Sequence, residues 1–388
     1  MNRRRLLAGV TTAAVAATAG CGYAYGGGDV RGTATIGGSG TSTAFGGTTA
    51  FATTEDRIVR AESGSSPFSG ENTSVVVADR EATVRWRFDH DATTRGVAVS
   101  PSADRVYLVE EGDDGDAGAV AAAARPEADD QGDREREDPS WRAAVEAVAP
   151  PTEMARAVPV AADDHGAYVA TQDGVAVVRD GDVVRTVETA TPVRRLWGGT
   201  THDPEDGSAG GVIAAVDEAL VRIDGDGERI WTQDVGEVPA ATVAGGRVVV
   251  HEGDDLVALD RETGTVDWRV EVGGRTGRRI APPTVTGDRV AVVAAGAIQV
   301  LDDTTGEEAW RASGRPWSPV VVDAGSAYFV DDEVAVAVGP GGTRWTRTLD
   351  VEESRVVDAW FDGVTVAFCF ASGEVVRLQR EDQDRGLL

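Results

Sequence analysis

A hairpin that recurs limits this chain more than any other feature of it. From Leu256 to Val270 the sequence reads LVALDRETGTVDWRV. Val257 and Leu259, then Val266, Trp268 and Val270, alternate with polar or small residues at the period of two that a half-buried strand needs. Between the two runs Asp260 and Thr263 can hydrogen-bond nearby backbone N–H groups, and Gly264 can take the positive φ of a tight turn. The order returns in VLDDTTGEEAWRA (Val300–Ala312), where Asp302, Gly306 and Trp310 repeat Asp260, Gly264 and Trp268. Looser copies at Val76–Phe88, Val221–Gln233 and Val336–Thr348 are one residue shorter before Trp86, Trp231 and Trp345. A hairpin of this kind cannot bury its apolar face alone, so copies must stack on one another.

The body can be cut into blocks of four strand-like runs, beginning at Gly96, Ala157, Val193, Ala240, Ala281, Ser318 and Ser354. The regular hairpin Trp residues lie roughly 35–42 residues apart, as four-stranded blades require. The last block ends one strand short. SVVVADREATVRWRF (Ser74–Phe88) has no partners before it, and pairing it with the last block would remove two open sheet edges. The expectation is an all-β, seven-bladed β-propeller over residues 74–380, with eight blades as the alternative. The N- and C-terminal strands would close it, and residues 381–388 would form a polar tail.

The motif Leu-Asp-x-x-Thr-Gly-x-x-x-Trp, at Leu259–Trp268 and Leu301–Trp310, resembles the PQQ-like repeat of β-propellers. It is most similar to the non-enzymatic, BamB-like lipoproteins of outer-membrane-protein assembly. The second block has Arg185 where a Trp would stand, and Trp141 follows a long insertion. The resemblance implies a Trp packed between neighbouring blades and a scaffold that binds other envelope proteins without a cofactor. An indole on a strand face buries about 150–250 Å², which fits that role. The same superfamily contains quinone-dependent dehydrogenases, which need a cation site, an aromatic platform and commonly adjacent cysteines. Here no cysteines are adjacent, and His90, His165, His202 and His251 lie in four different blocks. No GxSxG, HExxH, Walker-type loop or CxxC is present. A surface quinoprotein dehydrogenase and a solute- or polymer-binding surface protein are the competing readings.

The N-terminus reads as an address. Arg3, Arg4 and Arg5 precede Leu6, Leu7 and an apolar or small run to Gly20, about 14 residues and too short to span a bilayer. The Arg-Arg-x-Leu-Leu order resembles a twin-arginine export signal. Thr18-Ala19-Gly20-Cys21 resembles a lipobox, with Thr18 in place of the usual Leu, so residues 1–20 are expected to be removed and Cys21 lipidated. The expected location is the outer face of the cell membrane, reached through the lipid on Cys21, as a monomer. Residues 21–73 are rich in Gly, Ser and Thr and read as a flexible tether holding the body some 40 Å from the bilayer. Only Asp56–Arg60 within them looks strand-like.

Charge bears on habitat. The chain carries 65 acidic residues against 37 basic ones, net −28, and every basic residue is arginine. Such a surface repels nucleic acid and anionic bilayers. It suits molar salt, where the Debye length falls to about 3 Å and carboxylates stop repelling one another strongly, as in a halophilic archaeon. Cys21 and Cys369 are the two cysteines, and Cys369 lies in the apolar run VTVAFCF as a buried small hydrophobe. Asp224–Glu228 superficially resembles a calcium loop but lacks its remaining ligands, so it reads as a Gly-rich turn. Pro126–Pro139 is an acidic insertion. For partner binding the best surface is the face of the 4–1 and 2–3 loops, where Arg275, Arg278, Arg279 and Arg315 gather beside Trp317. Arg and Trp are enriched at interface hot spots.

Overall fold

The computed structural model describes residues 27–36, 48–54, 56–66, 70–102, 104–111, 118–124, 140–146, 148, 158–198, 210–236, 240–244, 246–274, 282–362 and 364–380. Among these, every regular element is a strand, and the strands form eight antiparallel sheets of four. Blade 1 runs from Thr48–Thr53 to Val84–His90, blade 2 from Thr94–Val99 to Trp141–Val145, and blade 3 from Val160–Ala162 to Asp182–Glu188. Blades 4, 5, 6 and 7 end in the outer strands Arg229–Asp234, Val266–Glu271, Glu308–Ser313 and Gly342–Thr348. Blade 8 takes Val356–Asp362, Thr365–Phe370 and Glu374–Gln379 from the C-terminal end and its fourth strand, Val30–Thr35, from the N-terminal end.

The burial pattern explains which run becomes which strand. Second and third strands are covered on both faces and read as continuous apolar runs, as in Arg247–Glu252 and Asp255–Asp260, whose four central residues are all buried. Outer strands have one wet face and alternate, as in Val84–His90. The core is therefore divided among the gaps between blades. Blades 5 and 6 share a layer containing Val249, Leu256, Trp268, Val290 and Leu301. Equivalent layers join each successive pair, and the one between blades 8 and 1 (Ile58, Val76, Ala78, Ala367, Cys369, Val375) completes the ring.

The repeated motif fastens these layers. Asp260 Oδ1 accepts hydrogen bonds from the Thr263 backbone N–H and hydroxyl, both at 2.7 Å, and Asp302 holds Thr304 and Thr305 in the same way. Gly264, at φ +71°, then turns the chain. A side chain there would be strained, and its Cβ would sit 2.7 Å from the Trp231 ring of blade 4. Trp231 Nε1–H donates to Arg261 O at 2.9 Å, and Trp268 donates to Asp303 O of blade 6 at 2.7 Å, so each indole is locked onto the next blade's hairpin. Trp345 of blade 7 meets Gly27 and Gly28 just before the closing strand, where other blades have their hairpin. Arg185 lies under Gly227 of blade 4, its stem filling the indole's place.

Two expectations need correction. The seven blocks marked out in the sequence correspond to blades 2–8, and an eighth sheet precedes them, so the alternative count of eight is the observed one. Ser74–Phe88 does not complete the last blade. Its residues belong to the third and fourth strands of blade 1, with Trp86 stacked on Phe88 at 5.4 Å and packed against blade 2. The closing strand is Val30–Thr35, paired with Glu374–Gln379 from Val30↔Leu378 to Thr35↔Glu374. Residues 21–73, expected as a tether, thus contain the closing strand and most of the first three strands of blade 1. The composition misled because hydroxyls here do part of the work of methyls. Ser63 and Thr73 are buried opposite each other and share a 2.7 Å hydrogen bond, and Thr73 also donates to Ala92 O. Ile58, Val59, Val75 and Val77 supply the apolar contacts.

Candidate functional site

The 2–3 hairpins and the connections between blades share one face, and hydrogen bonds tie them together. Val235 donates to Glu218 O (3.0 Å), Val272 to Asp254 O (2.9 Å) and Leu349 to Glu333 O (2.7 Å), so each outgoing connection is pinned to its own blade's 2–3 hairpin. The connection from blade 6 to blade 7, Gly314–Val320, is mounted at several points. Gly314 sits against Ile298, Pro316 is buried, and the Ser318 hydroxyl accepts from Val330 N–H at 2.9 Å. Between the buried Pro316 and Ser318 the Trp317 side chain turns outward and is 68% exposed. Arg315 is exposed too, its guanidinium lying over the Gly296 turn of blade 6. Arg315 and Trp317 therefore share this face, whereas Arg275, Arg278 and Arg279 lie outside the described residues, as does Cys21. An exposed indole on a stiff backbone loses little freedom when a partner covers it.

The remaining sequence candidates have structural duties. Asp224 Oδ1 accepts from the Asp226 and Glu228 N–H groups, closing the turn that other blades close with Asp260 or Asp302. His90 is buried, its Nε2 2.9 Å from Glu110 Oε1, which also accepts from Arg142 Nε. His165 sits in the 1–2 turn of blade 3, and His202 and Pro126–Pro139 lie outside the described residues. Cys369 is fully buried, and desolvation pushes its thiol pKa up to about 12. Among the described residues no three His, Cys, Asp or Glu side chains are grouped as metal ligands.

Sequence reading missed a buried polar cluster in blade 3. Asp163 accepts from the Tyr168 hydroxyl at 2.6 Å, from Gly166 and Gly211 N–H groups at 2.8 and 2.9 Å, and from Arg179. Burial pulls its carboxyl upward, but these donors and the Arg179 charge outweigh burial and hold it below the usual carboxylate range. Blade 7 repeats the arrangement with Asp323, Tyr328 and Arg380, where Arg380 donates to Asp323 at 2.5 Å. The available signal was an Asp five residues before a Tyr, occurring twice at the 1–2 turn. Both clusters are satisfied from within the chain and fasten turns.

The comparisons with known proteins agree with this geometry. Eight blades, the Asp-Thr-Gly hairpin and the interblade indole define a β-propeller with PQQ-like repeats. Residues 209–384 match the family described as "Outer membrane protein assembly factor BamB". The fold is similar to BamB from Moraxella catarrhalis, with a TM-score of 0.57 at 14% identity over 91% of this chain and 99% of that one. It is also similar to the computationally designed Ika8 protein, with a TM-score of 0.53 at 14% identity over 85% of this chain and 95% of that one. A sequence comparison with curated proteins gave no match. The chain is a BamB-like β-propeller in its fold.

Proposed function

We propose that the protein is a non-catalytic, lipid-anchored cell-surface scaffold that binds other envelope proteins through the face bearing Trp317. The supporting observation is the exposed indole held between buried Pro316 and Ser318, beside Arg315. The family matched over residues 209–384 is described as an assembly factor, which points the same way. Cross-linking on intact cells, followed by pull-down, tests the reading. Trp317→Ala combined with Arg315→Glu should lose the captured partner while thermal unfolding stays unchanged. Charge reversal at Arg278 and Arg279 should do the same. Unchanged capture removes this face from consideration.

The anchor and the lack of catalysis belong to the same proposal. Cys21→Ala should release the protein from membranes into the medium, with loss of a lipid mass from the mature N-terminus. Adding the quinone together with Ca²⁺ should produce neither a visible absorbance change nor dye reduction. A positive result in that assay would favour a dehydrogenase.

A further inference from the structure

The chain has two asparagines, Asn2 and Asn72. Asn2 lies in the segment expected to be removed, which leaves Asn72 alone in the body. Elsewhere aspartate fills the places where asparagine commonly serves. Asp180 and Asp332 stand in left-handed turn positions at φ +47° and +53°, and Asp260 and Asp302 cap the hairpin turns. Asn72 does neither. It sits in the third strand of blade 1, although asparagine is a poor strand former. Among the described residues its carboxamide meets no hydrogen-bond partner. Thr73 and Ser74 follow it, and Asn-Thr-Ser is an acceptor sequence for N-linked glycosylation.

The fold displays this tripeptide as an acceptor must be displayed. The second and third strands of blade 1, Arg57–Ser66 and Gly70–Asp79, have ten residues each, against six in blades 5 and 6. The first strand pairs with the second only as far as Ser63, and the outer strand pairs with the third only from Thr73 onward. Beyond these limits Gly64↔Asn72 begins a two-stranded arm that runs past both neighbouring strands. Alternation along the strand puts Asn72 and Ser74 on one side and Thr73 on the other. Thr73 is fully buried and bonded to Ser63, Ser74 is half-buried, and Asn72 is exposed. The residue opposite Asn72 is Gly64, where an added Cβ would meet nothing within 4 Å. The cross-strand place is open to a sugar.

We propose that Asn72 carries an N-linked glycan received outside the membrane from a lipid-phosphate-linked oligosaccharide, an inference that rests on the export reading above. Asn72 Nδ2 forms a bond to C1 of the first sugar as the C1–O bond to phosphate breaks. The lipid phosphate leaves with that electron pair, one Nδ2 proton passes to it, and nothing is oxidised or reduced. Aspartate at this position has no N–H to give up, so it could not replace the amide. The Ser74 hydroxyl, on the same side of the strand, is the second group that the acceptor sequence requires. A twin-arginine signal implies export in the folded state, so a transferase meets the tripeptide as the arm presents it.

The test uses the full-length protein isolated from the membranes of cells that make it naturally. Trypsin cuts after Arg60 and Arg80 and releases residues 61–80, in which Asn72 is the single asparagine. Mass spectrometry of that peptide should show a series of sugar masses added at Asn72. Asn72→Gln and Ser74→Ala should lose the whole addition, and Ser74→Thr should keep it. Surface proteolysis of intact cells reports export separately. An exported chain with Asn72 bare overturns this inference and leaves the export reading standing, whereas a bare chain sheltered inside the cell overturns both. Sugar that persists in Asn72→Gln or in Ser74→Ala overturns the assignment to this acceptor.

Discussion

The two halves of the ring solve the same packing problem with different chemistry. From blade 4 to blade 7 each blade presents an indole to its neighbour. Trp231 and Trp268 lock onto backbone carbonyls at 2.9 and 2.7 Å, Trp310 donates to Ala324 O at 3.2 Å, and Trp345 covers Gly27 and Gly28. From blade 8 to blade 3 polar groups share that role with Trp86 and Trp141, which pack against blades 2 and 3. Arg80 bridges the blade 8–1 seam to Asp358 at 2.5 Å and lies 4.8 Å from the Trp360 ring centroid, while Arg377 donates to Arg80 O. Blade 1 uses the Ser63–Thr73 pair, blades 1 and 2 share His90, Glu110 and Arg142, and blade 3 has the Asp163 cluster. Indoles tolerate sequence drift around them, because burial is non-directional. Hydrogen-bonded clusters work only when every partner is in place.

Removing residues 27–36 should produce the largest change, since it strips blade 8 of a strand and uncovers Trp345. The single cooperative transition should be lost or displaced by about 5 kcal/mol or more in denaturant titrations. A small shift would mean that the ring holds without closure. Next, Trp310→Ala should cost about 3–5 kcal/mol, whereas Arg185→Ala, whose ion pair with Glu228 is exposed, should cost less than about 1. Equal losses would erase the contrast between the halves.

The Asp163 cluster gives the contrast a pH dependence. Its lowered pKa means that it adds stability above the ordinary carboxylate range and loses it as pH falls through the depressed value. Asp163→Asn should therefore flatten the acid limb of a plot of stability against pH and lower the neutral plateau. An unchanged acid limb would place the acid sensitivity elsewhere. The smallest expected effects are at the turns. Gly264→Ala should lose about 1–3 kcal/mol, from strained φ and from contact with Trp231. Ala82, the blade 1 counterpart at φ +61°, should gain up to about 1 kcal/mol on mutation to Gly, less what its buried methyl contributes.

This division also explains what could be read from the residues alone. Blades 4 to 7 were legible because Asp, Gly and Trp recur at fixed offsets and the second and third strands are unbroken apolar runs. Blade 1 was hidden because its second strand, Arg57–Ser66, ends in Ser and Gly, and its pairing depends on hydroxyls that resemble linker chemistry. The closing strand was hidden more completely. Val30–Thr35 reads VRGTAT, with five small or polar residues in six, and is identifiable only by what it pairs with. Trp317 could be singled out, because it stands outside the hairpin series.

The closing strand also dictates the order of events during synthesis. Val30–Thr35 is made before its partner Glu374–Gln379, with the whole of blades 1 to 7 synthesised between the two. Until that partner is made this strand must wait unmatched, with its backbone donors and acceptors open to any passing edge. A run of threonine, glycine and alanine with one arginine is a poor seed for aggregation. The composition that disguises the strand is what keeps it available until the ring can be finished.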